Sequence, residues 1–234
     1  MSQIHARTER LIGKDGLEKL KGARVAVFGL GGVGGAAAWA LGRCGVGMLR
    51  LIDCDEVAES NLNRQMIADL ETIGMRKTEA AEKMIRRFNA DSVLETCDVR
   101  AAAENIPALC SGMDVVIDAI DDVDAKEAIA VYCVENGIEL LASMGTGNKL
   151  DPSRFTIKDL AKTNGDPLAR VMRRELKARG VKRLKVAYST EPALTPLFQP
   201  EGEVRRAVPG STAFVPSVMG LIIAGQVIRD IAEK

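Results

Sequence analysis

The sequence predicts a doubly wound, mostly parallel Rossmann-like α/β sheet with a C-terminal insertion and a closing helix. Three observations predict it. A short apolar run, Arg24-Val-Ala-Val-Phe28, stands directly before Gly29-x-Gly31-x-x-Gly34 and an alanine-rich stretch. Strand-like and helix-like segments then alternate as far as Ser143, the pattern of βαβ units around a parallel sheet. With 234 residues and 47% hydrophobic content, the chain can bury a full core.

The elements follow in order. Thr8 to Leu20 reads as a short amphipathic helix with Leu11, Ile12, Leu17 and Leu20 apolar, ended by Gly22. Arg24 to Phe28 is a buried parallel strand. Gly34 to Arg43 is helical, Gly45-Val-Gly47 turns the chain, and Met48 to Ile52 is the second strand of a right-handed βαβ unit. Lys77 to Asn89 is a helix whose inner side carries Ala80, Ala81, Met84, Ile85 and Phe88. Val93 to Val99 is a third strand, Glu104 to Cys110 a short helix, and Met113 to Asp118 a fourth strand. A helix from Asp122 to Asn136 closes at Gly137, and Glu139 to Ser143 is the fifth strand.

After Gly145-Thr-Gly147 the alternation stops. The expected organisation is one domain over 1–234: a nucleotide-binding core over 1–150, a substrate-facing insertion over 151–210, and a closing segment over 211–234. The insertion contains a basic helix from about Asp166 to Arg179. Pro209 to Ile228 is uncharged and long enough to span a bilayer. Its prolines, glycines and hydroxyl residues favour a buried strand-like piece followed by a core helix, Ser217 to Ala232, and no membrane partner is expected.

Composition narrows the function. Lys+Arg and Asp+Glu both total 32, so any basic surface must be local. Aromatics are 3%, too few for the platforms that read single strands by stacking. Five cysteines, none spaced C-x-x-C, argue against a disulfide framework or a four-cysteine zinc site and favour a reducing cytoplasm. The N-terminus lacks the apolar stretch of a signal peptide, and His5 is expected to lie in a mobile tail without a role.

The motifs carry more. The Gly29, Gly31, Gly32 and Gly34 turn lets backbone approach phosphate at a helix N-terminus, and Asp53 follows where a carboxylate meets ribose hydroxyls. Taken alone, this suits NAD as readily as ATP. Ser60-Asn61-Leu-Asn63-Arg64-Gln65 adds amide and guanidinium donors that hydride transfer does not need. Phosphoryl-side chemistry needs them, because charge develops on a triphosphate under attack. Arg64 can grip phosphate bidentately, and Lys77 is a second cation. Asp118, Asp121 and Asp122 end a strand near the crevice. Asp121 is favoured as an oxygen ligand for magnesium, while Asp121 or Asp122 can also cap the next helix.

Together, Gly-Leu-Gly-Gly-Val-Gly, Asp53-x-Asp55-x-Val-x-x-Ser-Asn-Leu-Asn-Arg-Gln, Gly74-x-x-Lys77 and Asp118-Ala-Ile-Asp121 resemble the ThiF/MoeB/HesA adenylating enzymes, relatives of ubiquitin-activating enzymes. The resemblance runs from about Arg7 to the C-terminus. It implies ATP and Mg2+, with Asp53 on the ribose, Asn61, Arg64 and Lys77 on phosphates, Asp121 on the metal, and Asp55, Ser60 and Asp122 in the same nucleotide set. Arg10 resembles an arginine that reaches the partner subunit's nucleotide, which implies a homodimer. Two features depart from many relatives: the zinc-binding cysteine pairs are missing, and no cysteine beyond Cys133 can serve as a thioester nucleophile. Cys133 is expected to pack in the core.

Asp159 to Ala169 and Tyr188-Ser-Thr-Glu191 resemble the branch that cyclises threonylcarbamoyladenosine in tRNA. That chemistry is intramolecular after carboxylate activation, so it needs no enzyme nucleophile. The alternative within the family is activation of the C-terminus of a small sulfur-carrier protein. Residues 170–185 hold eight Lys and Arg against Glu175 alone. Arg170, Arg173, Arg174, Lys177, Lys182 and Arg183 are the candidates for tRNA contact.

Overall fold

The computed structural model describes residues 3–198 and 209–233. Strand β1 (Arg24–Phe28) is bracketed by β2 (Met48–Asp53) and β4 (Val115–Asp118), both parallel to it. Beyond β2 lies β3 (Val93–Asp98), and beyond β4 lies β5 (Glu139–Ser143), again parallel. Strand order reverses on either side of β1, so the loops after β1 and β4 diverge and open a crevice at the strand C-termini.

The segment after Gly147, where the strand–helix alternation is expected to stop, contributes two more strands. β6 (Phe155–Asp159) and β7 (Lys185–Ser189) extend the sheet to seven strands, in the order β3-β2-β1-β4-β5-β7-β6. β7 pairs parallel with β5, and β6 is the antiparallel edge. The insertion is therefore continuous with the core sheet and does not form a separate layer. Its residues 199–208 lie outside the described set.

Helices cover both faces, because alternate strand residues point to opposite sides. Val25, Val27, Leu49, Leu51, Val115 and Ile117 meet α1 (Ala6–Gly22), α2 (Gly32–Cys44), α3 (Lys77–Arg86) and α7 (Phe214–Glu233). Ala26, Phe28, Ile52 and Val116 meet α4 (Ile106–Cys110), α5 (Val123–Glu135) and α6 (Pro167–Ala178). Cys133 is fully buried on this second face, as packing requires.

Three local readings change. First, α1 kinks at Gly13 (φ 74°), which swings Leu11 out to 89% exposure while Leu17 and Leu20 pack inward. Second, His5 is half-buried, its ring 3.3 Å from where a side chain on Gly45 would begin, and is not a free tail. Third, the described residues directly before the last helix, 209–213, form no strand. α7 starts at Phe214, three residues before Ser217, with Pro216 in its first turn, where a missing N–H costs nothing. α7 is long and apolar enough to cross a membrane, yet it packs along α2 and α1 with Val215, Met219, Ile223, Ala224 and Val227 buried, which makes it a core helix here.

Candidate active site

The glycine turn builds the floor of a cavity of about 420 Å³ at the crevice. Gly29 sits at φ 82°, and a Cβ there would lie 2.7 Å from the Ala119 carbonyl oxygen. A Cβ on Gly34 would lie 1.7 Å from the carbonyl oxygen of Gly29, so the turn closes only with glycine at both positions. Gly29, Gly31 and Gly32 line the cavity; Gly34 does not, and its part is to close the turn. Gly31 caps α2, leaving the first N–H groups of that helix facing the cavity, an arrangement suited to an anion.

Asp53 organises the turn as well as lining the cavity. Its Oδ2 accepts the Leu30 N–H at 2.6 Å and its Oδ1 accepts the Asp55 N–H at 2.9 Å. Lys77, the first residue of α3, is 7% exposed. Its Nζ donates to Asp55 Oδ2 at 2.7 Å and stands 3.9 Å from Asp53 Oδ1. The hydrogen bond from Lys77 holds the Asp55 carboxyl below the usual carboxylate range. Burial pushes the neighbouring Cys54 thiol up, which disfavours its thiolate.

The segment after β2 supplies the second wall. Asn61 Oδ1 accepts the Ala58 N–H at 3.1 Å, which turns the chain and leaves the Asn61 amide donors available. Arg64 is held by the Ser60 carbonyl at 2.8 Å and by Asn63 Oδ1 at 2.9 Å, with its guanidinium lining the cavity. Ser60 itself is not in the wall; it contributes its backbone carbonyl to Arg64. Asn63 also donates to the Ser211 carbonyl at 3.1 Å, tying this wall to the segment before α7.

The strand-end aspartates divide their tasks. Asp122 caps α5, accepting from the N–H groups of Asp124 and Ala125. Asp118 is 1% exposed and paired with Lys126, itself fully buried, at 2.9 Å. Burial pushes the Asp118 carboxyl up, and the Lys126 ammonium opposes that shift. Lys126 also donates to the Ile120 carbonyl at 3.1 Å, which fixes the 118–122 turn. Asp121 is thereby presented to the cavity, exposed and with no hydrogen-bond partner among the described residues. Its oxygens are free hard donors of the kind Mg2+ takes.

Sequence reading missed several of these groups. Lys126 was hidden because a cation inside an apolar helix pattern gives no periodic signal. Arg100, after β3, lines the cavity and reaches Asp122 Oδ2 at 3.3 Å; its position at a strand C-terminus was the available clue. Gln65 and Thr146 also line the cavity, and Gln65 Oε1 is buried without a donor. Arg10 lies on the exposed side of α1 and is not part of this cavity. The arginines and lysines at 170, 173, 174, 177, 182 and 183 gather around a different groove, under α6.

The chain is 40% identical to the tRNA threonylcarbamoyladenosine dehydratase of Bacillus subtilis over 97% of its length and 94% of that protein's. It superposes on the E. coli tRNA N6-threonylcarbamoyladenosine dehydratase, solved in complex with ATP, with a TM-score of 0.90 and 32% identity, covering 99% of this chain and 94% of that one. The molybdopterin-synthase adenylyltransferase of Salmonella typhimurium is 32% identical over 62% of this chain and 58% of its own. The ThiF family model matches residues 5–234, and this chain belongs to the ThiF family.

Proposed function

We propose that the protein uses ATP to activate the free carboxylate of threonylcarbamoyladenosine in tRNA and to close that side chain into a ring. The observation that carries this reading is the convergence of Arg64, Lys77, the α2 N-terminus and the unpaired Asp121 on one cavity. Such a set neutralises developing phosphate charge and leaves a hydride carrier without use for its cations. The substrate is taken from the relatives, whose names specify that modified nucleoside.

The residues then have distinct tasks. The glycine turn and the α2 N–H groups seat the phosphates, Asp53 faces the ribose, and Asn61 donates its amide to a phosphate oxygen. Arg64 and Lys77 take up the charge that grows as the substrate carboxylate attacks the α-phosphorus and pyrophosphate leaves. Asp121 would hold Mg2+, which would supply neutralisation of the phosphate charge there. In the second step an atom of the same urea attacks the activated carbonyl. The ring bond forms, the bond to AMP breaks, and the urea loses one proton, for a net loss of one water. No enzyme nucleophile is required.

Through the family resemblance, the same reading assigns Arg10, which lies outside its own chain's cavity, to the nucleotide of a second subunit in a homodimer. It places the protein in the cytoplasm, with its tRNA, and gives no role to zinc. Nucleoside mass spectrometry of threonylcarbamoyladenosine-bearing tRNA, incubated with protein, ATP and Mg2+, tests it. The expected product is lighter by one water. An unchanged mass with protein that binds ATP would reject the reading, and a stable adenylate on a carrier protein ending in Gly-Gly would replace it with the sulfur-carrier alternative.

A further inference from the structure

The cations of residues 170–183 are not at the mouth of the nucleotide cavity. α6 runs between the two rims of the sheet. Its N-cap, Asp166, accepts the Ala169 N–H at 2.9 Å, stands 3.9 Å from Lys149 Nζ, and lies beside Gly145 in the loop that brings Thr146 to the nucleotide cavity. This end of α6 is at the crevice. The other end leads through 179–184 into the N-terminus of β7, where the Leu160 N–H donates to the Leu184 carbonyl at 2.8 Å. Because β7 runs parallel to β5, that end is at the opposite rim. Twelve helical residues span about 18 Å.

The charges along this path are of two kinds. Arg173 donates to the Thr163 carbonyl at 2.9 Å and acts as a strut for the turn before α6. Arg174 pairs with Glu175, and Arg179 with Glu127. Arg170, Lys177, Lys182 and Arg183 are exposed and make no ion pair or side-chain hydrogen bond among the described residues. Arg170, Arg174 and Lys177 share one face at i, i+4 and i+7, opposite the buried Ala169, Met172 and Leu176. Below them is a groove of about 750 Å³ whose floor includes Leu160, Leu176, Val181 and Leu184. A row of cations at one-turn spacing matches a strand of successive phosphates, and the apolar floor accepts sugar or base edges.

We infer that the RNA lies along α6, with its reacting nucleoside in the crevice and its stem continuing to Lys182 and Arg183 at the far rim. This rests on the tRNA reading above. A surface of this kind makes RNA length part of substrate recognition: a fragment confined to the crevice cannot reach the far rim.

The test is the double variant Lys182→Ala/Arg183→Ala, assayed with full-length tRNA and with a trinucleotide carrying the modification. For tRNA, KM is expected to rise about tenfold, and the slope of log K against log salt to fall by about 2. For the trinucleotide, KM should not change. Thermal melting checks the fold, and Arg170→Ala, near the crevice, should weaken both RNAs. Equal effects of the double variant on long and short RNA, or no effect on tRNA, would overturn the inference while leaving the dehydratase reading intact. If wild-type protein converts no RNA, the dehydratase reading fails, and salt-dependent binding of tRNA with and without the two cations still decides the surface.

Discussion

Lys126→Met isolates the buried ion pair on which the 118–122 turn depends. Both partners are out of water, Lys126 fully and Asp118 to within 1%, at 2.9 Å. Removing the ammonium leaves the Asp118 carboxyl buried with the Ile120 N–H, at 3.3 Å, as its remaining hydrogen-bond partner. Breaking a buried pair from one side costs about 3–5 kcal/mol, a large share of the total stability of a domain. For a chain of this size, about 2–4 °C of melting temperature is lost per kcal/mol, so a fall of roughly 6–20 °C is expected. The deficit should depend on pH. Without Lys126 the folded-state pKa of Asp118 rises further, so the protonated form is the one that suits the fold. Its stabilisation is full below the unfolded pKa and is lost as pH rises through the folded pKa. The variant should therefore lie closer to wild type at pH 5 than at pH 8. Adding Asp118→Asn should restore most of the loss, because no charge is then left buried. ATP affinity should fall in the single variant as Asp121 loses its fixed turn. Calorimetry at both pH values is the assay. A change under 1 kcal/mol, or a deficit that shrinks as pH rises, would refute this account of the pair.

Other outcomes follow from the same geometry. Gly34→Ala puts a methyl group 1.7 Å from the Gly29 carbonyl oxygen, so it should cost about 3 kcal/mol and abolish ATP binding, read by denaturant melts and calorimetric titration. Arg64→Ala should lower kcat by about 10²–10³-fold with an unchanged melting curve, because its guanidinium bonds only to its own exposed loop. Asp121→Asn should raise the Mg2+ concentration needed for half-maximal rate. The Asp55 carboxyl should titrate below the usual range by carbon NMR and move up in Lys77→Met. The stability it contributes is present above its unfolded pKa and is lost as pH falls through the depressed folded value.

The expected strands β1 to β5 coincide with the structure to within two residues. β1, β2, β4 and β5 are short, mostly buried and largely apolar runs, whereas β3, Val93-Leu-Glu-Thr-Cys-Asp98, is a more polar edge strand. β6 and β7 were not foreseen. Phe155-Thr-Ile-Lys-Asp159 is an edge strand with polar alternation, and Lys185-Val-Ala-Tyr-Ser189 follows a charged run, so neither carries the continuous apolar signature of an inner parallel strand. The lining of the cavity was legible where chemistry and spacing coincide, as at Asp53, Asn61, Arg64 and Lys77. Lys126 and Arg100, whose importance lies in what they touch, were not legible.

By itself the sequence determined five of the seven strands, the glycine turn, and Arg64 and Lys77 among the cations of the cavity, because local backbone rules and motif spacing act within a few residues. Only the tertiary structure decided which groups take which task. Asp118, Asp121 and Asp122 are equivalent as letters. They become a buried pair, a free carboxylate and a helix cap through burial, the reach of Lys126 and the first turn of α5. The basic run likewise became a path between two rims only once β7 was seen to pair with β5, because charge in a sequence has no direction until the sheet gives it one.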